Sequence, residues 1–191
     1  MALVKHTNNS LSNITALPSA VPTGKMTLLS TATASNSASL SFNSTYINSD
    51  YLIYKFEFIN IHPITDNVQW MHNASTDNGS NYNLVKTNTV FEGEKAEGSD
   101  APTLNYVTGH DIAQGTGNAK FTYNCGNDND QSLSGEMFLF NPSSTVFVKH
   151  FITKVANSHN SNYIKNTYTA GYYNTTSDID ALIFLYSSGN I

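Results

Sequence analysis

The chain has 191 residues, enough for one β-sandwich or barrel with its own core and hardly enough for two. Charged residues are only 12% of it, about half the usual share, and Asn, Ser and Thr supply roughly a third, a composition that disfavours helix interiors. The net charge is −5 and every basic side chain is a lysine; without Arg forks for phosphates and guanine edges, nucleic acid is an unsuitable partner.

Residues 1–24 read as an extended arm or as a frayed terminus. Asn8, Asn9, Ser10, Ser12 and Asn13 are polar, and Pro18, Pro22 and Gly24 break regular structure. The scattered apolar residues Leu3, Val4, Leu11, Ile14 and Leu17 are too few for a core but enough to dock on another surface. Strand signals begin at Met26 and fill the domain 25–191. Thr31 to Phe42 alternates, ending with Ala38, Leu40 and Phe42 on one face. Tyr51 to Ile61 is the strongest strand, with Leu52, Tyr54, Phe56 and Phe58 on one face and Lys55 and Glu57 on the other. His62-Pro63 stops it. Val68, Trp70 and His72 alternate next, and Asp77-Asn78-Gly79 is a turn signal. Leu84 to Phe91 predicts a weaker strand, and the charged, Gly-bearing run Glu92 to Pro102 predicts a loop.

Leu104 to Val107 and Lys120 to Cys125 predict short strands around Gly115-Thr116-Gly117. Glu136 to Phe140 carries apolar residues on both faces and predicts burial on both sides. After the turn Asn141-Pro142-Ser143-Ser144, Thr145 to Val155 places Val146, Val148, His150 and Ile152 together. Tyr168 to Asn174 and Ile179 to Tyr186 complete the set, the last with Ile179, Ala181, Ile183 and Leu185 on one face. These are about nine or ten strands with frequent turn signals, the pattern of an all-β, antiparallel, jelly-roll-like β-sandwich.

Sites of chemistry are sparse in this pattern. Cys125 is the single cysteine, which excludes an intrachain disulfide and suits assembly in a reducing cytosol. Its neighbours Asn124, Gly126, Asn127 and Asp128 give no electropositive setting for a reactive thiol. The start Met1 to His6 shows no apolar leader, and no apolar run approaches the roughly 20 residues that cross a bilayer. The histidines His6, His62, His72, His110, His150 and His159 form no metal-binding spacing. His110 and Asp111 are adjacent, so on a strand they point to opposite faces and make a weak dyad. Gly126 to Gln131 resembles part of a calcium loop, with Asp128 and Asp130 as ligands, but lacks the central Gly and closing Glu, so a solvated Asx turn is the plainer reading. Tyr82, Tyr106, Tyr123, Tyr163, Tyr172 and Tyr173 sit among polar residues, a setting for contact with glycans or proteins and for ordinary sheet packing.

Several segments together carry a resemblance. They are Tyr54 to Asn67, Asn105-Tyr106-Val107-Thr108-Gly109, Gly126 to Gln131, Leu139 to Thr145, Val148-Lys149-His150-Phe151 and Ala170 to Thr176. The opening Leu11-Ser12-Asn13-Ile14 and the closing Ser187-Ser188-Gly189-Asn190-Ile191 extend it over nearly the whole chain. In these segments the chain resembles a family of short virion proteins of marine tailed phages. Members of that family continue for a further strand, so the resemblance implies a shortened version or one lacking an edge strand. It implies a virion structural protein with capsid or tail proteins as partners; the lack of catalytic and metal motifs adds the expectation of no enzymatic activity and no cofactor, and the single cysteine that of assembly in the host cytoplasm.

Two placements on a particle follow. In the first the chain is a head decoration or head-fibre protein, held to the capsid by its arm. In the second it is a tail fibre, adaptor or receptor-binding protein whose loops contact host surface glycans. A hydrolase such as a depolymerase is a third reading. A homo-oligomer is expected, with a trimer as the arrangement fibres and knobs commonly use.

Overall fold

The computed structural model describes residues 26–98 and 102–191. Two compact units are separable, Met1–Thr31 and Ala32–Ile191. Residues 26–31 of the first unit hold no strand. The expected anchoring residues Leu3, Val4, Leu11, Ile14 and Leu17 lie outside the described residues.

The second unit is all-β and antiparallel. Its strands are β1 (Leu40–Phe42), β2 (Ile53–Ile61), β3 (Val68–Ser75), β4 (Lys86–Ala96), β5 (Thr103–Tyr106), β6 (Ile112–Gly115), β7 (Ala119–Cys125), β8 (Leu133–Phe140), β9 (Lys149–His159), β10 (Tyr163–Tyr173) and β11 (Ala181–Tyr186). Pairing runs continuously through all of them, in two leaves. The larger leaf has the order β2-β8-β9-β10-β4, with β5 and β6 sharing the far edge of β4. The smaller leaf has the order β1-β11-β3-β7. The leaves join at a single bridge, Cys125 to His159.

The two leaves face each other across a ring cluster. Phe58 of β2 meets Trp70 of β3 at 5.8 Å, and Phe121 of β7 and Phe184 of β11 at 5.1 Å each. All four rings are buried, and truncating any of them to alanine removes about 3–5 kcal/mol. Tyr54, Met137, Leu139, Phe151 and Tyr173 continue this core. Gly171 of β10 makes room for it, since a Cβ there would stand 2.7 Å from the Phe151 ring and 2.6 Å from the Thr87 carbonyl oxygen. Gly171→Ala is expected to cost about 1–3 kcal/mol by overpacking, readable as a lowered urea midpoint at unchanged m.

Several sequence expectations are corrected. Thr31 to Phe42 forms a strand only at Leu40–Phe42. The expected loop Glu92 to Pro102 is strand in its first half, because β4 continues to Ala96. The carboxylates there pair with Lys165 on the neighbouring strand, which removes the need for water around them. In β9 the inward residues are Lys149, Phe151, Thr153, Val155 and Asn157, while Val146, His150 and Ile152 are exposed. In β11 Leu182, Phe184 and Tyr186 face the core, whereas Ile183 and Leu185 are only half-buried. Glu136 to Phe140 buries one side fully, at Met137 and Leu139, and leaves Phe138 and Phe140 half-buried.

Candidate interaction surfaces and the buried ionic cluster

Three regions stand apart from ordinary sandwich packing. The first is a polar half of the interior. Where β7 crosses β9, β10 and β4, the inward residues change from rings to Thr122, Asn157, Thr167, Thr169, Glu92 and Lys165. Thr122 donates to the Asn157 amide oxygen, and Thr167 donates to Thr122 at 3.4 Å. Lys165 Nζ pairs with Glu92 at 3.3 Å and with Glu94, and stands 3.5 Å from the centre of the Tyr123 ring. Tyr123 donates to the same Glu92 oxygen at 3.0 Å. The second oxygen of Glu92 has no hydrogen-bond partner among the described residues.

The charges in this cluster follow from that geometry. Burial opposes the charge on Lys165, but the Glu94 hydrogen bond, Tyr123 and the Glu92 charge prevail and hold its pKa above the ordinary lysine value. Burial pushes Glu92 above the usual carboxylate range, against the pull of Lys165 and Tyr123. Burial opposes ionisation of Glu94 too, but its bond to Lys165 leaves it below that range. His110 lies buried on the edge of Tyr123, 4.3 Å between ring centres, and burial and nearby lysines lower it to about 4. His110 ends a short 3-10 turn and Asp111 follows it, accepting from the Val90 amide and the Tyr106 hydroxyl.

Two more lysines are fully buried. Lys86 donates to the Gly117 carbonyl at 2.6 Å, and burial lowers its pKa to about 8. Lys149 donates to the carbonyls of Ser144 and Thr175, and burial lowers its pKa too. Each of the three occupies an inward position of an alternating strand. The sequence marks those positions only through their register with neighbours such as Phe151 and Tyr173.

The second region is apolar and exposed. The β8–β9 connection carries Val146 and Phe147, each 68% exposed. It begins beside Leu52, whose carbonyl accepts from the Asn141 amide at 2.6 Å, and Ile53 pairs with Phe140 in the ladder. Leu52 is 71% exposed and Ile53 is exposed as well. One end of the larger leaf therefore presents Leu52, Ile53, Val146 and Phe147 to solvent.

The third region is a shallow depression of about 320 Å³ on the outward face of that leaf, between β2 and β10. Its walls include Glu57, Ile59, Glu136, Lys154 and Asn166, over a floor of Ser134, Gly135 and Ala156.

The residues singled out in the sequence are placed as follows. Asp128 and Asp130 lie in a turn closed by its own bonds, the Gln131 amide donating to the Asp128 carbonyl and the Asp128 amide to the Gln131 side chain. Among the described residues no group of three or more His, Cys, Asp or Glu side chains could hold a metal ion. The Cys125 thiol is buried, and burial pushes it up to about 12. His72 is fully buried and bonded to the Tyr173 hydroxyl at 2.7 Å, while His150 lies on the outward face near Tyr172. Among the tyrosines, Tyr173 is buried and Tyr106 exposed. Among the described residues no helix is long and apolar enough to cross a membrane. Comparison with protein-family models, with curated proteins and with solved structures finds no match to this chain.

Proposed function

We propose that this chain is a non-enzymatic structural component of a tailed-phage particle, a head decoration or head-fibre protein attached through residues 1–24 and assembled in the host cytoplasm. The observation that carries the reading is the exposed apolar end formed by Leu52, Ile53, Val146 and Phe147. Neighbouring apolar side chains left exposed at one end of a sheet mark a contact with another protein. The segments resembling marine phage virion proteins, and a β fold that needs no disulfide, support the same reading. Its partners are other virion proteins and further copies of itself, with a trimer as the symmetry to test. The second reading is a tail fibre, adaptor or receptor-binding protein, and the polar depression on the outward face favours it.

Quantitative mass spectrometry of purified particles separates these readings. Decoration gives hundreds of copies per particle, and a tail part gives a few dozen. Absence of the chain from particles would refute both. Val146→Asp combined with Phe147→Asp is expected to change stability by less than about 0.5 kcal/mol per site, because both residues are exposed. The same pair should cut incorporation into particles at least tenfold. Normal incorporation would remove the apolar end from the attachment surface.

A further inference from the structure

We infer that the depression between β2 and β10 is a binding site for one pyranose unit of a neutral polysaccharide. The inference deepens the second reading above and rests on it only for the biological source of the glycan.

The depression has a structural origin. Ladder pairing between β2 and β8 is regular from Ile53 to Phe58, then shifts register before Ile61. Asn60 lies in that shift at φ 52°, a left-handed conformation that costs a non-Gly residue energy. Its amide donates to the Ser134 hydroxyl at 3.1 Å, not to a ladder carbonyl. Bulges of this kind re-aim side chains next to binding sites. Here Ile59 stands 71% exposed as one wall. Across the leaf the floor residues Ser134 and Ala156 are small, so the surface dips between taller neighbours.

The rim carries the chemistry a sugar ring needs. Glu57 and Glu136 are both held in place by Lys55, at 2.7 and 2.9 Å, and retain acceptor lone pairs. Lys154 supplies a donor and lies 5.8 Å from the Tyr168 ring centre. Asn166 donates to the Tyr168 hydroxyl at 3.1 Å, while its amide oxygen has no partner among the described residues. Ile59 offers an apolar surface to ring C–H groups. Two carboxylates are matched by two ammonium groups, Lys55 and Lys154, so the site suits a neutral ring and not a phosphate or a uronate. About 320 Å³ is at the small end of ligand sites, of order 300–1,000 Å³, which fits one ring and not a folded peptide.

Purified full-length protein titrated with maltopentaose, mannopentaose and galactopentaose, followed by saturation-transfer NMR, tests this directly. Chitosan and alginate oligomers serve as cationic and anionic controls. At least one neutral pentasaccharide should bind, and the charged oligomers should bind at least tenfold more weakly. Ala156→Leu fills the floor and should weaken binding at least tenfold, and Asn166→Ala should do so by removing one wall of the depression. Ala170→Leu, the same change on the same face but outside the depression, should leave binding unchanged. No binding by any neutral pentasaccharide overturns the site, as does binding that survives both Ala156→Leu and Asn166→Ala. Self-association abolished by Ala156→Leu, in place of sugar binding, would assign the face to a second copy instead. These measurements use isolated protein, so their failure leaves the particle counts above untouched.

Discussion

Replacing Lys165 by methionine is expected to destabilise the fold by about 3–5 kcal/mol at pH 7, because it strands a buried charge. Both side chains of the Lys165–Glu92 pair are 2% exposed. Lys165 and the Tyr123 hydroxyl reach the same oxygen of Glu92, and the other oxygen has no hydrogen-bond partner among the described residues. With the ammonium gone, the carboxylate must either remain charged without compensation or take up a proton. Loss of the contact with the Tyr123 ring adds to the damage. The combined change Lys165→Met with Glu92→Gln should recover most of the loss, since it removes both desolvated charges. Urea denaturation of the single and double variants measures this. A loss under about 1 kcal/mol for Lys165→Met would show that water reaches the pair in solution.

Acid should weaken the protein well above the range in which carboxylates titrate. His72 is completely buried, and burial, reinforced by the nearby Lys86 charge, lowers its pKa from 6.5 to about 3. The unfolded chain therefore binds this proton more readily than the folded one. The stabilising contribution of neutral His72 is complete above pH 6.5 and declines as pH falls toward 3. The slope is about 1.4 kcal/mol per pH unit, or about 2 kcal/mol between pH 6.5 and 5. His110, lowered to about 4, acts in the same direction. Asp77, held at about 2 by its bonds to Asn81 and Ser75, contributes only below that window. Glu92 works in the opposite sense, because its raised pKa favours proton uptake by the folded state. His72→Gln should flatten the stability profile between pH 6.5 and 5. Parallel profiles for the variant and the parent would mean that His72 is not the titrating group.

These two effects arise in the part of the core that the sequence conceals. Lys86, Lys149 and Lys165 look like surface residues, and all three are fully buried. Their burial depends on partners far along the chain: the Gly117 carbonyl for Lys86, the Thr175 carbonyl for Lys149, and Glu92 for Lys165. In the same way, the charged run from Glu92 reads as a loop until Lys165 is placed beside it. A carboxylate in a strand then becomes half of a cross-strand pair.

Alternation was legible where one face was plainly polar. In β2 Tyr54, Phe56 and Phe58 share the inward face opposite Lys55 and Glu57 as expected, but Leu52, expected with them, precedes the strand and is 71% exposed. Alternation failed in β9, where each face mixes apolar and polar residues. Val146 and Val148, grouped with Ile152 in the sequence, precede the strand, while Phe151 and Val155 alternate with Lys149, Thr153 and Asn157 on the inner side. In β11 both faces are covered to different degrees: Ile179 and Ala181 are fully buried and Ile183 and Leu185 half-buried on one side, opposite Leu182 and Phe184. A period of two separates the faces of a strand but does not say which one is covered.

Composition and period by themselves determined that this chain is an antiparallel β protein without a disulfide. Both properties are local or countable: Thr and aromatic residues fit a pleated surface, Asn and Ser favour turns, and one cysteine cannot pair within the chain. Only the tertiary structure decided which faces turn inward, that three lysines and a glutamate belong to the core, and where the apolar end and the sugar-sized depression lie. Each of those depends on which strands become neighbours, and pairing residues as distant as Glu92 and Lys165 is a property of the assembled sheet.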